Sequence, residues 1–268
     1  EAVAARSPND NIPAFSEMSD YDRANHPPSA ASWRLWLGTD WSGRSVLVKT
    51  IMGAKVSLTV GLMANVIAVP LGTLLGAIAG YFGRRVDDVI VWLYTTLSSI
   101  PGIILLIAMK YAFQDVKVLG LDLTGIHGIY IALGVISWVG MCRLVRAEVM
   151  KIRELDYVTA ARAVGVDERT ILLRHVVPNV FHLAIIQFTL GFVGAVSAEV
   201  ILSYLGIGVA VGTPSWGTMI NSARMDLMVG RWWELTAAVG AMFVLVLALS
   251  LLGDRLRDAL DPKLRNVG

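Results

Sequence analysis

Long apolar stretches alternate with shorter polar ones along the chain, and five of the apolar stretches carry no charge. About 20 apolar residues are needed to cross a bilayer as a helix. Because backbone N–H and C=O groups must be hydrogen-bonded internally in lipid, such stretches predict transmembrane helices. They lie at residues 56–83, 89–109, 123–142, 178–198 (continuing to 205) and 235–253. The pattern therefore predicts an all-α, polytopic membrane protein.

Basic side chains follow the first, third and fifth of these spans, which predicts the orientation of the chain. They are Arg84 and Arg85; then Arg143, Arg146, Lys151, Arg153, Arg162, Arg169 and Arg174; and finally Arg255, Arg257, Lys263 and Arg265. The opposite loops carry only Lys110 and Lys117, and Arg224 and Arg231. Since Lys and Arg concentrate on the cytoplasmic side, we expect residues 1–55 outside and the C-terminus in the cytoplasm.

The polar residues at the start of the chain predict a division into two parts. Residues 1–55 form an external segment, and its Trp-rich stretch from Trp33 is typical of a membrane interface. Residues 56–268 form the transmembrane domain. The chain opens on Glu1 without a signal-peptide pattern, so we expect one further span upstream, which would make six. Gly72, Gly76 and Gly80 recur every fourth residue, a spacing that lets a second helix approach closely.

The stretch "DYVTAARAVGVDERTILLRHVVPNV" (156–180) is unusually charged for a loop between two spans. A first helix places Tyr157, Ala160, Ala161 and Val164 on one face, and Gly165 suits a left-handed turn at its end. A second helix has Asp167 as N-cap and Ile171, Leu172 and Val176 as its apolar side; Pro178 disfavours its continuation. We call residues 156–178 the charged hairpin. It is either an interfacial cap on the bundle or a docking element for a cytoplasmic subunit.

Composition narrows the function. The chain is 55% hydrophobic and 16% charged, with a mean hydropathy of +0.62 and a net charge of +2, which argues against nucleic-acid binding. The lone Cys142 excludes an internal disulfide, and four scattered histidines favour no metal site. The sequence has no phosphate-binding loop for ATP and no G-x-S-x-G turn for an embedded protease. An ion-driven transporter would need mid-membrane carboxylates and an inverted repeat, and the sequence shows neither.

A few polar residues interrupt the spans and are candidates for the lining of a pathway. They are Ser98 and Ser99 in the second span, and Gln187 and Glu199 in the fourth. Acids within spans usually face a cavity or a partner. Glu199 either contacts the amino group of a substrate or has a structural role, and Pro101 is positioned to kink the second span.

The charged hairpin resembles the coupling loop of binding-protein-dependent ABC importer permeases, whose pattern is Glu-Ala-Ala, three residues, Gly, nine residues, Ile-x-Leu-Pro. The matching residues are Thr159, Ala160, Ala161, Gly165, His175, Val177 and Pro178. Thr159 stands where the family has Glu, and His175 and Val177 where it has Ile and Leu. Four further segments resemble the C-type permeases of dipeptide and oligopeptide importers: residues 37–61, 79–88, 199–220 and 253–265.

The resemblance implies the fold of a type I ABC importer permease in the bacterial inner membrane, and one half of a pathway for dipeptides and oligopeptides. It implies four kinds of partner: a second related permease, two cytoplasmic ATPases that bind ATP and Mg²⁺, an external peptide-binding protein, and the lipid bilayer. Coupling to the ATPases would use Tyr157, Thr159, Ala160, Ala161, Gly165 and Pro178. Nickel or another small solute is the alternative cargo within the family.

Overall fold

The computed structural model describes residues 24–113, 116–118, 120–210 and 212–260. Two compact units divide the chain. The first comprises Glu1–Val60 and Val196–Leu247, and the second comprises Gly61–Ala195 and Ala248–Gly268. Part of the predicted external segment (1–23), and Lys263 and Arg265 of the basic tail, lie outside the described residues. The predicted division at residue 55 stays a prediction.

Helices form nearly all of the regular structure in these ranges, which confirms the all-α class. They are α1 (Val46–Phe82), α2 (Arg84–Ser98), α3 (Gly102–Ala112), α4 (Ile126–Ile152), α5 (Asp156–Ala163), α6 (Glu168–Ile171), α7 (Val177–Tyr204), α8 (Trp216–Met228) and α9 (Trp233–Leu260). A 3-10 turn, Trp33–Leu35, precedes α1, and a π turn, Leu172–Val176, joins α6 to α7. Between α3 and α4, the two-residue strands β1 (Lys117–Val118) and β2 (Leu121–Asp122) pair antiparallel.

The apolar pattern predicts the number of spans correctly, and the kink predicted at Pro101 in the second span is a complete break. Within the described residues, four helical stretches are long and apolar enough to cross a membrane: Val46–Phe82, Ile126–Ile152, Glu168–Tyr204 and Trp233–Ala259. The predicted second span consists of α2 and α3, which meet at 90° and bring the number to five if the pair counts as one. Pro101 lies at this break as the N-cap of α3. Proline lacks a backbone N–H and disfavours helical geometry at the residue before it, which explains why the helix is interrupted here.

Two predicted span ends are wrong because charged residues lie inside helices. Helix α1 begins at Val46 rather than at residue 56, and the charge of Lys49 in its first turn is paired with Asp40 and Glu234. Helix α4 continues to Ile152. The basic residues predicted for the following loop therefore begin inside the helix, with Arg143 and Arg146.

The prediction that Pro178 ends the hairpin's second helix is also wrong. The chain stays helical from Glu168 to Tyr204 through the π turn. At the end of that turn the Val177 N–H donates to the Leu172 carbonyl, five residues back. We attribute the continuity to this wider turn, which relieves the clash between a proline ring and the carbonyl four residues before it.

The glycine repeat of α1 packs against α4, as its spacing predicts. A Cβ built on Gly72 would lie 2.6 Å from the Trp138 carbonyl oxygen, and one on Gly76 would lie 2.6 Å from the Cys142 carbonyl oxygen. Gly80 faces the next turn of α4, at the Arg146 carbonyl. The two backbones therefore touch along three successive turns, with no room for a side chain.

Replacing Gly76 with alanine should destabilise the bundle. The added methyl meets a backbone carbonyl that cannot move alone, so we expect a loss of about 1–3 kcal/mol. Gly140→Ala in α4 is the matched control, because a Cβ there has nothing within 4 Å, and alanine should gain about 0.5–1 kcal/mol in a helix. The measurement is the thermal midpoint of each variant in mild detergent. Equal midpoints for the two variants would contradict the packing described here.

In the first unit, buried polar contacts connect the segment before α1 to the start of α9. Lys49 Nζ lies 3.0 Å from Asp40 Oδ2 and 2.6 Å from Glu234 Oε1. The Trp233 indole N–H donates to the Thr39 carbonyl at 2.9 Å. Burial opposes ionisation of Asp40, but the Lys49 ammonium and the hydrogen bond from the Arg44 N–H hold its pKa below its usual range.

Candidate functional site

The charged hairpin has the predicted turn. Helix α5 ends before Gly165, which has a φ of +88°. The Gly165 N–H donates to the Arg162 carbonyl at 3.0 Å and the Val166 N–H to the Ala161 carbonyl at 3.1 Å, which is the bond pattern of a Schellman motif. Asp167 then caps α6 by accepting from the Arg169 N–H at 3.1 Å. These local bonds specify helix, left-handed turn and helix.

The apolar residues of α5 divide between two faces, whereas the sequence pattern placed them on one. Tyr157 (44% exposed), Ala160 and Val164 (84% exposed), the residue that follows α5, are exposed. Ala161 is half-buried against the core of the second unit, and Val158 is fully buried in it. We call Tyr157, Ala160 and Val164 the exposed face of α5. Thr159 is exposed beside it, and its hydroxyl donates to the Asp156 carbonyl at 2.9 Å.

The other side of the hairpin is held against the bundle. Ile171, Leu172 and Val176 are buried as predicted, in one cluster with Tyr81 of α1 and Val149 of α4. The Tyr81 hydroxyl donates to the Glu168 carboxylate. The same carboxylate pairs with Arg162 of α5, whose Nε lies 2.9 Å from Glu168 Oε1. Pro178 is exposed, and Asn179 next to it donates to the Tyr157 hydroxyl at 3.1 Å.

Two of the candidate pathway residues, Ser98 and Ser99, lie at the break between α2 and α3, and both are exposed. The Ser98 hydroxyl accepts from Arg143 Nη2 at 3.1 Å, and the Ser99 hydroxyl donates to the Thr96 carbonyl at 2.7 Å. Gln187 is half-buried in α7, and no hydrogen bond joins its side chain to another described residue. The structure therefore brings Ser98 into contact with an arginine, while Ser99 bonds to its own helix and Gln187 takes no part in this contact.

The fourth candidate, Glu199, is fully buried in the first unit. Its carboxylate accepts from the Ser57 hydroxyl of α1 at 3.0 Å and from the Ser203 hydroxyl, one turn further along α7, at 2.7 Å. Both oxygens thus have a partner from the chain itself. Within the described ranges, no group of three or more His, Cys, Asp or Glu side chains could hold a metal ion.

Comparison with known proteins adds the family. Residues 72–266 match the model of the binding-protein-dependent transport system inner membrane component. The chain belongs to this family. The permease is 37% identical over 241 residues to the dipeptide transport system permease protein DppC of Bacillus subtilis, covering 90% of this chain and 72% of that protein. It is 34% identical over 255 residues to the oligopeptide transport system permease protein OppC of Haemophilus influenzae, covering 94% and 78%.

A third relative and two solved structures agree with this assignment. The permease is 35% identical over 247 residues to the glutathione transport system permease protein GsiD of Pectobacterium atrosepticum, covering 92% of this chain and 78% of that protein. Its fold is similar to an inward-facing form of the MetNI methionine ABC transporter, with a TM-score of 0.60 at 18% identity over 81% of this chain and 96% of that chain. An amino acid ABC transporter gives 0.57 at 16%, covering 80% and 95%. The resemblance read from the sequence is thereby confirmed.

Sequence reasoning missed several polar contacts in the permease. The sequence pattern predicts Arg143 in a loop, yet it lies in α4 and contacts the α2–α3 break. The partners of Lys49 are 9 and 185 residues away in the chain, so no local pattern could reveal them. The break itself had one signal, Pro101 inside an apolar run.

The bonds of Glu199 favour its structural role. Glu199→Gln keeps the shape of the side chain but replaces one of its two accepting oxygens with an NH2 group, which cannot accept from a serine hydroxyl, so it should cost about 1–2 kcal/mol of stability. The permease variant should have a lower thermal midpoint in detergent, and the uptake of every substrate should fall by the same factor. A selective loss for peptides with a free amino group would instead assign Glu199 to substrate contact.

Proposed function

We propose that this chain is one permease half of an ATP-driven importer and that its charged hairpin receives the motion of cytoplasmic ATPases. The observation that carries the proposal is the exposed face of α5. Its apolar side chains lie on a hairpin whose opposite side is buried in the core and paired with α1. An apolar patch that a fold keeps exposed marks an interaction surface.

The contacts behind the hairpin give a route for mechanical coupling. Glu168 is bonded both to Arg162 in the hairpin and to Tyr81 near the end of a membrane span. A displacement of α5 by a partner is therefore passed to α1 instead of being absorbed in a loop. ATP-dependent closure of the ATPases would favour one of two arrangements of the spans, so that the pathway opens alternately to each side.

The proposed assembly has a second related permease, two ATPases that bind ATP and Mg²⁺, and an external peptide-binding protein, all at the bacterial inner membrane. The distribution of Lys and Arg supports an external N-terminal segment and a cytoplasmic hairpin and C-terminus. The exposed side chains of α9 favour a neighbouring lipid or permease in the assembly, because Phe243 and Val244 are each 64% exposed in a span of mean hydropathy 2.5.

Peptides are the proposed cargo. Curated relatives at 34–37% identity are named for dipeptides, oligopeptides and glutathione, itself a tripeptide. The solutes in these names differ in peptide length. They share an amino group, at least one amide and at least one carboxylate. A pathway for such solutes needs polar groups at membrane depth, as at the exposed α2–α3 break.

Purification of the tagged chain from native membranes in mild detergent tests the assembly. We expect a second permease and two ATP-binding subunits to co-purify, with ATP hydrolysis in the preparation. Reconstituted with its binding protein, the complex should take up a labelled tripeptide only when ATP is present inside. A chain that purifies alone, or peptide uptake that ignores ATP, would contradict the proposal.

A further inference from the structure

Arg143 lies beside the α2–α3 break, and no acidic side chain among the described residues pairs with it. Its Nη2 donates to the Ser98 hydroxyl at 3.1 Å, and its guanidinium carbon lies 4.8 Å from the centre of the Tyr94 ring. The Arg143 side chain is exposed, and it makes no ion pair with any of the described residues. A guanidinium has five N–H donors, and the serine uses one of them.

The neighbouring arginine shows that this arrangement is not a general feature of α4. Arg146, one turn further along, is half-buried, and its Nη2 donates to Asp87 Oδ2 at 2.7 Å. That pair joins α4 to the start of α2. The structural ion pair between these helices is therefore already made, and Arg143 is not needed for it.

The break lies at membrane depth if the proposed topology holds. Helix α2 has 15 residues, so about 21 Å separates Arg84 at its start from Ser98 at its end, at roughly 1.5 Å per residue. This places Ser98 well inside a hydrocarbon layer of about 30 Å. A charged group at such a depth faces a cavity or a protein rather than lipid.

The backbone at the break supports the same conclusion. Residues 98–104 are all exposed on the chain, and the helix is interrupted between Ser98 and Gly102. Non-helical backbone is tolerated at membrane depth only where it is covered by protein or lines a water-filled cavity. An exposed charge and an exposed break on the same surface favour the water-filled pathway.

We infer that Arg143, with Ser98 beside it, forms a subsite on the translocation pathway that binds a carboxylate of the peptide. The inference rests on the proposed function, and it adds the chemistry by which the pathway recognises its cargo. The planar fork of a guanidinium matches a carboxylate with two parallel hydrogen bonds. Stacking on Tyr94 and the bond to Ser98 hold that fork in place, and a single charge leaves the contact reversible.

A thiol introduced at position 99 tests whether this surface is positively charged and whether water-soluble reagents reach it, without altering Arg143 or Ser98. The variant is Ser99→Cys combined with Cys142→Ala, which removes the one native cysteine. The thiol of this variant is labelled in inverted vesicles that contain the whole importer. One methanethiosulfonate reagent carries an anionic sulfonate, and the other carries a cationic trimethylammonium group. We expect the anionic reagent to react faster, and Arg143→Gln to lower the anion-to-cation rate ratio about tenfold.

Two controls separate a local charge from a structural effect. Arg143→Lys should keep most of the rate preference, because the charge remains. The pair Asp87→Asn with Arg146→Gln removes an ion pair without changing net charge, and it should leave the ratio unchanged. An unreactive thiol at position 99 in the importer, or a ratio unaffected by Arg143→Gln, would overturn the inference. Loss of the second permease from Arg143→Gln preparations would assign the arginine to a subunit contact instead.

Protection by peptides identifies the ligand. Trialanine with a free C-terminus should slow labelling of the thiol at position 99, whereas trialanine amide should not. An amidated tripeptide with an internal glutamate distinguishes a C-terminal carboxylate from a side-chain carboxylate, since protection by this peptide would mean that a side-chain carboxylate also binds. Equal protection by the free acid and by the trialanine amide, or no protection by any of the three, would refute a carboxylate subsite. Because labelling does not need ATP, these outcomes are independent of whether the ATPases couple through the hairpin.

Discussion

Ala160→Glu should abolish substrate-stimulated ATP hydrolysis while leaving the membrane bundle folded. Ala160 lies on the exposed face of α5, away from the core, so the longer side chain causes no clash within the chain. In the assembled importer, the carboxylate would have to be buried in an apolar contact or would push the partner away, and an unpaired buried charge costs several kcal/mol. The measurement is ATPase activity with and without loaded binding protein, alongside the thermal midpoint of the complex.

Thr159→Glu is the matched control. It adds the same charge at the adjacent position, where the coupling-loop pattern that the hairpin resembles has glutamate, and Thr159 is also exposed. We expect coupling to survive in this variant. If both variants couple normally, the charged hairpin is an interfacial cap. If both uncouple equally, added charge near the hairpin is the cause, and the exposed face of α5 has no special role.

Gly165→Val tests the same surface through the backbone. A Cβ at Gly165 has nothing within 4 Å, but its φ of +88° is one that a β-branched residue rarely adopts. The strain is on the order of 1–2 kcal/mol, and relieving it would rotate α5 relative to α6. We expect weaker ATPase association with an intact bundle. Normal association would show that the angle of the turn does not set the position of α5.

Lys49→Met should destabilise the chain strongly. Asp40 and Glu234 are 2% and 1% exposed, and Lys49 is the cation that pairs with both. Removing the ammonium leaves two buried carboxylates without their positive partner. Breaking a buried ion pair in this way costs about 3–5 kcal/mol of stability. The thermal midpoint should fall by on the order of 10 °C. Methionine fills a similar volume, so the loss should come from the charges rather than from a cavity.

Two further variants test that cause. Lys55→Met makes the same substitution six residues later in α1, at an exposed position, and should change stability by no more than about 0.5 kcal/mol. Adding Glu234→Gln to Lys49→Met removes one orphaned charge and should recover part of the loss. A double variant no more stable than Lys49→Met would contradict the account of the buried network.

The features predicted correctly from the sequence are those that local patterns determine. The apolar runs give the five spans, the spacing of Gly72 and Gly76 gives the close contact between α1 and α4, and the Gly165–Asp167 signal gives the hairpin turn. Each depends on residues within one or two helical turns. The side-chain face of α5 was predicted less well, because helical periodicity identifies neighbours but does not say which way the helix is turned towards the core.

The features that were missed depend on contacts between residues far apart in the chain. The predicted first span begins too late, because its charge-free run starts only after Lys55, whereas α1 begins at Val46. Helix α1 includes the charged Lys49, whose partner on α9 is 185 residues away. Pro178 predicts the end of a helix, but a π turn accommodates it, and no residue pattern marks that turn. Local patterns predict Arg143 among loop charges, since its neighbours Ser98 and Tyr94 come from another helix and cannot be seen in the local sequence.

Photo-cross-linking from position 160 tests the central claim most directly. A benzoylphenylalanine in place of Ala160 would lie on the exposed face of α5, and one in place of Phe243 would lie on the exposed surface of α9. Irradiation of the importer in native membranes should give an adduct with an ATP-binding subunit from position 160 and none from position 243. Lipid adducts alone at both positions would contradict the claim that the charged hairpin docks on the ATPases.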